Sequence, residues 1–143
     1  MNVAHILASK GRDVISAMPD HTLQDAARLM AERGIGALVV CNREKQIAGI
    51  LSERDIMRAI ARNGPGALDD RVSSHMTTKV RTCGEGTTIQ ALMEEMTLGR
   101  FRHIPVVQDG ALCGMISIGD LIKNRLVEME REQEDLKNYI ATA

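Results

Sequence analysis

The sequence predicts a mixed α/β (α+β) fold: two β-α-β-β-α units packed on each other about a pseudo-twofold axis, followed by a long C-terminal helix. Three observations carry this expectation. The chain is written twice, since Val14 to Ile56 is answered by Val80 to Leu121 at an offset that begins at 66 and ends at 65. Each copy changes its hydrophobic period in the same order, from helical spacing to short apolar runs and back. At 143 residues the chain has the size of one ordinary domain, and a unit of roughly 60 residues buries too little surface to stand comfortably alone, so the copies should share an interface.

Each copy opens with a short strand, near Val14 and near Val80. In the first copy Thr22 or Asp20 can cap a helix whose apolar positions Leu23, Ala26, Ala27, Leu29 and Met30 recur at helical spacing up to a stop at Gly34. A hairpin follows, with apolar runs Ala37 to Cys41 and Ile47 to Leu51 around the turn-like Asn42 to Lys45. A second helix begins at Ser52. In the second copy Thr87 or Thr88 caps Ile89 to Leu98, and the strands are Ile104 to Val107 and Leu112 to Ile116, with Asp109-Gly110 as the hairpin turn. The single residue lost between the copies falls at that turn. Asn63-Gly-Pro-Gly separates the copies as a helix stop and turn. Val72-Ser-Ser-His-Met echoes Val3-Ala-His-Ile-Leu, so each repeat begins ahead of its first strand. The predicted division is a first repeat with its N-terminal segment over 1–64, a crossover over 65–78, a second repeat over 79–127 and a helical extension over 128–143. In the last helix Leu121, Ile122, Leu126, Met129, Leu136, Tyr139 and Ile140 recur between charges over about 30 Å, a stripe that needs cover and points to a homodimer.

Composition removes several classes of function. Eighteen Lys and Arg against 19 Asp and Glu leave a net charge of −1, with no global basic field to attract nucleic acid or anionic lipid. Phe101 and Tyr139 are the only aromatic residues, which excludes a stacking platform for single strands. Cys41, Cys83 and Cys113 are an odd set at wide spacing, matching neither a disulfide framework nor a zinc pair and fitting a reducing cytoplasm. The N-terminus lacks the pattern of a signal peptide, and no run approaches about 18 apolar residues, so a soluble cytoplasmic protein without membrane contact is expected. His5, His21, His75 and His103 show no metal-ligand spacing, and the glycine fingerprints of Rossmann and P-loop sites are missing. No nucleophile has a paired base. The reading is therefore a non-enzyme with no catalytic residue, no metal and no required cofactor.

The strongest paired signal is Gly49-Ile-Leu-Ser52-Glu-Arg-Asp55, matched by Gly114-Met-Ile-Ser117-Ile-Gly-Asp120. Two readings of it stand. Ser-x-x-acid at a strand-to-helix junction is a capping box, in which the serine oxygen accepts from an early helix amide and the acid reaches back to the cap. The same place offers free amides and the positive end of a helix dipole to a phosphate, and an acid one turn in can accept from a ribose diol.

The tandem repeat with Gly34-Ile-Gly-Ala-Leu-Val-Val, Arg102-His-Ile-Pro-Val-Val and the two Gly-h-h-Ser-x-x-Asp segments (h apolar) resembles a pair of cystathionine-β-synthase (CBS) domains, the Bateman module, over residues 3 to 127. It is similar to the short stand-alone bacterial members. The resemblance implies clefts that bind adenosine-containing nucleotides such as AMP, ADP, ATP, S-adenosylmethionine or NAD. It implies Asp55 and Asp120 at the ribose hydroxyls and Ser52 and Ser117 at ribose or phosphate. Gly36, Ala37 and Leu38 in one copy and Arg102, His103 and Ile104 in the other would line the adenine pocket, largely through backbone. Arg100, Arg102 and His103 replace Gly34, Gly36 and Ala37, and Gly119 opens room where the first copy has Arg54, so phosphate is expected toward the second copy. The leading expectation is a regulatory module that senses adenine nucleotide and signals to a partner protein. The alternative is a dimeric adaptor, acting through residues 117 to 143, without useful nucleotide affinity.

Overall fold

The computed structural model describes residues 1–142; Ala143, the last residue of the expected extension, lies outside the described residues. In order the elements are α1 (Val3–Lys10), β1 (Ser16–Ala17), α2 (Leu23–Arg33), β2 (Ala37–Cys41), β3 (Ile47–Ser52), α3 (Glu53–Asn63), two 3₁₀ turns (Pro65–Asp69 and Val72–Ser74), α4 (Ile89–Gly99), β4 (His103–Gln108), β5 (Ala111–Ser117) and α5 (Ile118–Thr142). Thr22 and Thr88 are the caps of α2 and α4, each accepting from an amide three residues on. Among the described residues no helix is long and apolar enough to cross a membrane.

The first repeat carries a three-stranded sheet in the order β1-β2-β3, parallel then antiparallel. The second carries only the β4-β5 hairpin. Its expected first strand shrinks to one parallel bridge, in which Cys83 donates to Pro105 at 3.0 Å and accepts from Val107 at 2.8 Å. Pro105 explains the loss. In the first repeat Ser16 pairs with Val39 and Ala17 with Val40; Pro105 stands where Val39 does, and a residue without an N–H cannot donate the next rung. The hairpins otherwise agree closely, with irregularities at Val40/Cys41 and Val106/Val107 and with Cys41↔Ile47 matching Val107↔Leu112. The lost residue therefore lies in the turn, where Asp109 and Gly110 both adopt positive φ.

The leading segments are exchanged between the repeats. Val3, Ile6 and Leu7 of α1 are buried with Ile89, Leu92, Met96, Ile104, Ile116 and Leu121 in the core of the second repeat. Ala67 and Val72, from the stretch between the repeats, are buried with Leu23, Met30, Leu38 and Leu51 in the core of the first. The backbone shows the same symmetry: the Val3 amide donates to Thr87 at 3.0 Å and the Val72 amide to His21 at 2.7 Å. Thus α1, which precedes the first repeat, completes the second, and residues 65–78 do more than cross over. Gly114 marks the closeness of α1 to β5, since a Cβ there would stand 2.7 Å from Leu7 Cδ2. Val39, Cys41 and Leu112 form a third cluster at the seam where the two hairpins meet.

Helix α5 is continuous for 25 residues, about 37 Å. Leu121 is its one buried residue, packed in the second core, and beyond Glu128 every described residue is exposed.

Candidate functional site

Both Ser-x-x-Asp segments form capping boxes. Ser52 Oγ accepts from the Asp55 amide at 3.2 Å while Asp55 Oδ2 accepts from the Ser52 amide at 2.9 Å. Ser117 and Asp120 repeat the pattern at 3.1 and 2.9 Å. The acids are placed this way because β3 and β5 run straight into α3 and α5, leaving the serine as the last extended residue and the acid at the third helical position. Each box occupies only Oδ2 of its aspartate; Asp55 Oδ1 faces the Arg58 guanidinium at 4.0 Å, an ion-pair contact too long for a hydrogen bond, so it can still accept from a second donor.

Two clefts open at the seam and are related by the pseudo-twofold axis. The larger, about 590 Å³, is lined by Lys10, Asp13, Val14, Ile35, Gly36, Ala37, Leu38, Phe101, Arg102, His103 and Ser117, among others. Asp120 does not itself line this cleft, but it is bonded to two residues that do: its Oδ2 accepts from the Ser117 amide at 2.9 Å and from Lys10 Nζ at 2.5 Å. The other, about 480 Å³, is lined by Ser52, Arg54, Asp55, Arg58, Lys79, Arg81, Phe101 and His103. Phe101, His103 and Ile50 border both.

The expected site residues divide accordingly. Ser52, Arg54 and Asp55 share the smaller cleft, and Gly36, Ala37, Leu38, Arg102, His103 and Ser117 share the larger. The Ile104 side chain is fully buried in the second core, leaving only its backbone to face a ligand. Gly119 is exposed beside the start of α5, and a Cβ there would be 3.6 Å from Ser117 Oγ.

The two clefts differ in the charge that lines them. Arg100 caps α4 in the left-handed conformation, φ 55°, and borders neither cleft. His103 titrates below the ordinary histidine value because burial disfavours its cation, with Lys10 and Arg102 adding repulsion against the attraction of Asp120. It is neutral near pH 7. The larger cleft thus sets Lys10 and Arg102 against Asp13, and Lys10 is already tied to Asp120. The smaller sets Arg54, Arg58, Lys79 and Arg81 against Asp55 alone. Lys79 and Arg81 lie at the start of the second repeat, outside the motif that marks Asp55, and their pseudo-symmetry mates Asp13 and Ile15 carry no positive charge, so neither the motif nor the repeat points to them.

For Asp120, burial raises the carboxyl pKa, but the Lys10 ammonium and the Ser117 amide together outweigh it and hold the group below the usual carboxylate range. Burial, with Glu95 and Cys113 nearby, pushes the Cys83 thiol up to about 11, so it is no nucleophile at neutral pH.

Two interlocked repeats with a cleft on either side of their seam define a tandem-repeat module. The family model described as "CBS domain" matches residues 3–62 and 72–126, and the chain belongs to the CBS domain family as a tandem pair. It is 34% identical over 146 residues to the mitochondrial CBS domain-containing protein CBSX3 of Arabidopsis thaliana, covering 96% of this chain and 71% of that protein. Among solved structures it is similar to the CBS-domain containing protein ATU1752 from Agrobacterium tumefaciens, with 43% identity, a TM-score of 0.80 and coverage of 87% of this chain and 99% of that one. It is also similar to the CBS domain protein PAE2072 from Pyrobaculum aerophilum, solved in complex with AMP, at 26% identity and a TM-score of 0.75, covering 91% and 97% of the two chains.

Proposed function

We propose that the chain is a non-catalytic regulatory module that binds an adenosine-containing nucleotide, AMP, ADP, ATP or NAD, in the clefts between its repeats and reports occupancy to a partner protein in the cytoplasm. The observation that carries this reading is the smaller cleft: a half-occupied carboxylate, Asp55, at one edge and four cations around it. A ribose diol donates to Asp55 Oδ1, and phosphate lies toward Arg54, Arg58, Lys79 and Arg81, where charge-assisted hydrogen bonds are strongest. Supporting it, PAE2072 was crystallised with AMP. The larger cleft, where Arg102 is, among the described residues, the one lining cation without an acidic partner at salt-bridge distance, favours the adenosine moiety over its phosphates. A nucleotide wedged at the seam signals only if it binds one relative arrangement of the repeats better than another.

Thermal shift with AMP, ADP, ATP, NAD and adenosine tests the reading. A ligand at 100 times its dissociation constant adds about 2.7 kcal/mol of stability. The expected ranking places the phosphorylated ligands above adenosine, with the difference shrinking in high salt and in Arg58→Ala and Lys79→Ala. Absence of any shift, in protein shown to be free of copurified nucleotide, overturns the reading in favour of a dimeric adaptor.

A further inference from the structure

Helix α5 carries an exposed seam that its own domain does not use. The half-buried and buried positions Asp120, Leu121, Asn124 and Glu128 face the second core. On a different face Ile122, Leu126, Met129, Gln133, Leu136 and Ile140 follow one another at spacings of 4, 3, 4, 3 and 4, the a/d pattern of a coiled coil. The five apolar members are between 46% and 67% exposed, and the helix continues past Glu128 with no cover at all.

We propose that a second copy of this chain covers the seam, the two α5 helices pairing in parallel as a two-stranded coiled coil over residues 122–142. The flanking charges choose both partner and direction. With Leu126, Gln133 and Ile140 at a, and Ile122, Met129 and Leu136 at d, the g positions are Arg125, Glu132 and Tyr139, and the e positions Lys123, Glu130 and Lys137. In a parallel pair each g residue meets the e residue five positions on in the other helix. Arg125 then meets Glu130 and Glu132 meets Lys137, attractive on both sides of the axis. The fully overlapped antiparallel pair sets Lys123 against Lys137, Glu130 against Glu130 and Glu132 against Glu132, all repulsive, and leaves only Arg125 against the uncharged Tyr139. Gln133 adds a second argument. In the parallel register it faces its own copy across the axis and the two amides can hydrogen-bond, whereas the antiparallel register puts it on Met129 with no partner. Arg125 is paired with Glu128 of its own helix at 3.3 Å, an exposed contact weak enough to give way.

This inference is independent of nucleotide binding. Sedimentation equilibrium on the full chain should give a dimer, and Leu126→Glu with Leu136→Glu should give a monomer whose thermal transition is still cooperative, since both side chains are exposed. Arg125→Glu should weaken the dimer more than tenfold, and mixing it with Glu130→Arg should restore association. In a Cys113→Ser background, Gln133→Cys should oxidise to a disulfide-linked dimer, because facing a positions lie within bridging distance. A wild type that stays monomeric at about 100 µM, where any dimer with a Kd of about 1 µM would be mostly assembled, overturns the proposal, as does a dimer that survives both glutamates. A dimer that fails to cross-link through position 133 overturns the parallel direction.

Discussion

Lys10 Nζ sits 2.5 Å from Asp120 Oδ2, tying the last turn of α1 to the first turn of α5. The two residues are 110 positions apart, and Lys10 lines the larger cleft. The depressed pKa of Asp120 has a definite consequence for stability. A carboxyl held below its unfolded value near 3.9 stabilises the fold fully above that pH, and the contribution disappears as pH falls through the folded value. Acid unfolding of the wild type should therefore lose ground to Asp120→Asn below about pH 4, and Lys10→Met should remove most of that difference. Equilibrium denaturation between pH 2.5 and 6 is the measurement.

His103 predicts the opposite region of the pH scale. Because its folded pKa lies below the unfolded value near 6.5, the unfolded chain binds a proton first, and stability declines as pH falls from about 7. His103→Gln should flatten the stability curve between pH 7 and 5, and proton NMR of the wild type should show this ring titrating below 6.5.

The capping boxes separate stability from binding. Ser52→Ala removes the acceptor for the Asp55 amide and should cost about 1 kcal/mol by denaturant melt, with Ser117→Ala similar. Asp55→Asn keeps an oxygen for the Ser52 amide, so its effect on stability should be smaller than its effect on nucleotide affinity measured by calorimetry.

Arg100 occupies a left-handed cap, φ 55°, at the position where the first repeat has Gly34, φ 64°. A side chain is strained there, so Arg100→Gly should stabilise the protein by about 0.5 kcal/mol after the loss of chain entropy and of a cation at the helix end. A matched pair of urea melts decides it.

At Gly114 the added methyl of alanine meets both Leu7 methyls, at 2.7 and 2.9 Å. Leu7 is buried, so it cannot swing away, and Gly114→Ala should cost about 1–3 kcal/mol. Leu7→Ala in the same chain should recover part of that, and a double-mutant cycle reads the coupling.

What the sequence disclosed was local or repeated. The helix caps, both hairpins, the turn that lost a residue and the Ser-x-x-Asp junctions depend on neighbours within a few positions, and each is found where those residues stand. The cross-repeat relationships were harder. Val72 echoes Val3 in the sequence, but similarity of two segments does not say which core receives which. The cations of the smaller cleft were hidden for the same reason, since Lys79 and Arg81 come from the start of the second repeat and Asp55 from the helix of the first. Pro105 was visible as a mismatch with Val39, and its effect, the missing β-rung, follows from the absent N–H.

The exchange of leads ties the fates of the two copies together. A duplicated gene normally frees one copy to drift, but here a substitution at Val3 damages the second half and one at Val72 damages the first. Cleavage between the halves would strip each of its cover, so a separated half should not persist as a folded species, while the two together could reassemble. The duplication is in this sense irreversible: neither descendant half can be returned to life as a single ancestor without first recovering a lead of its own.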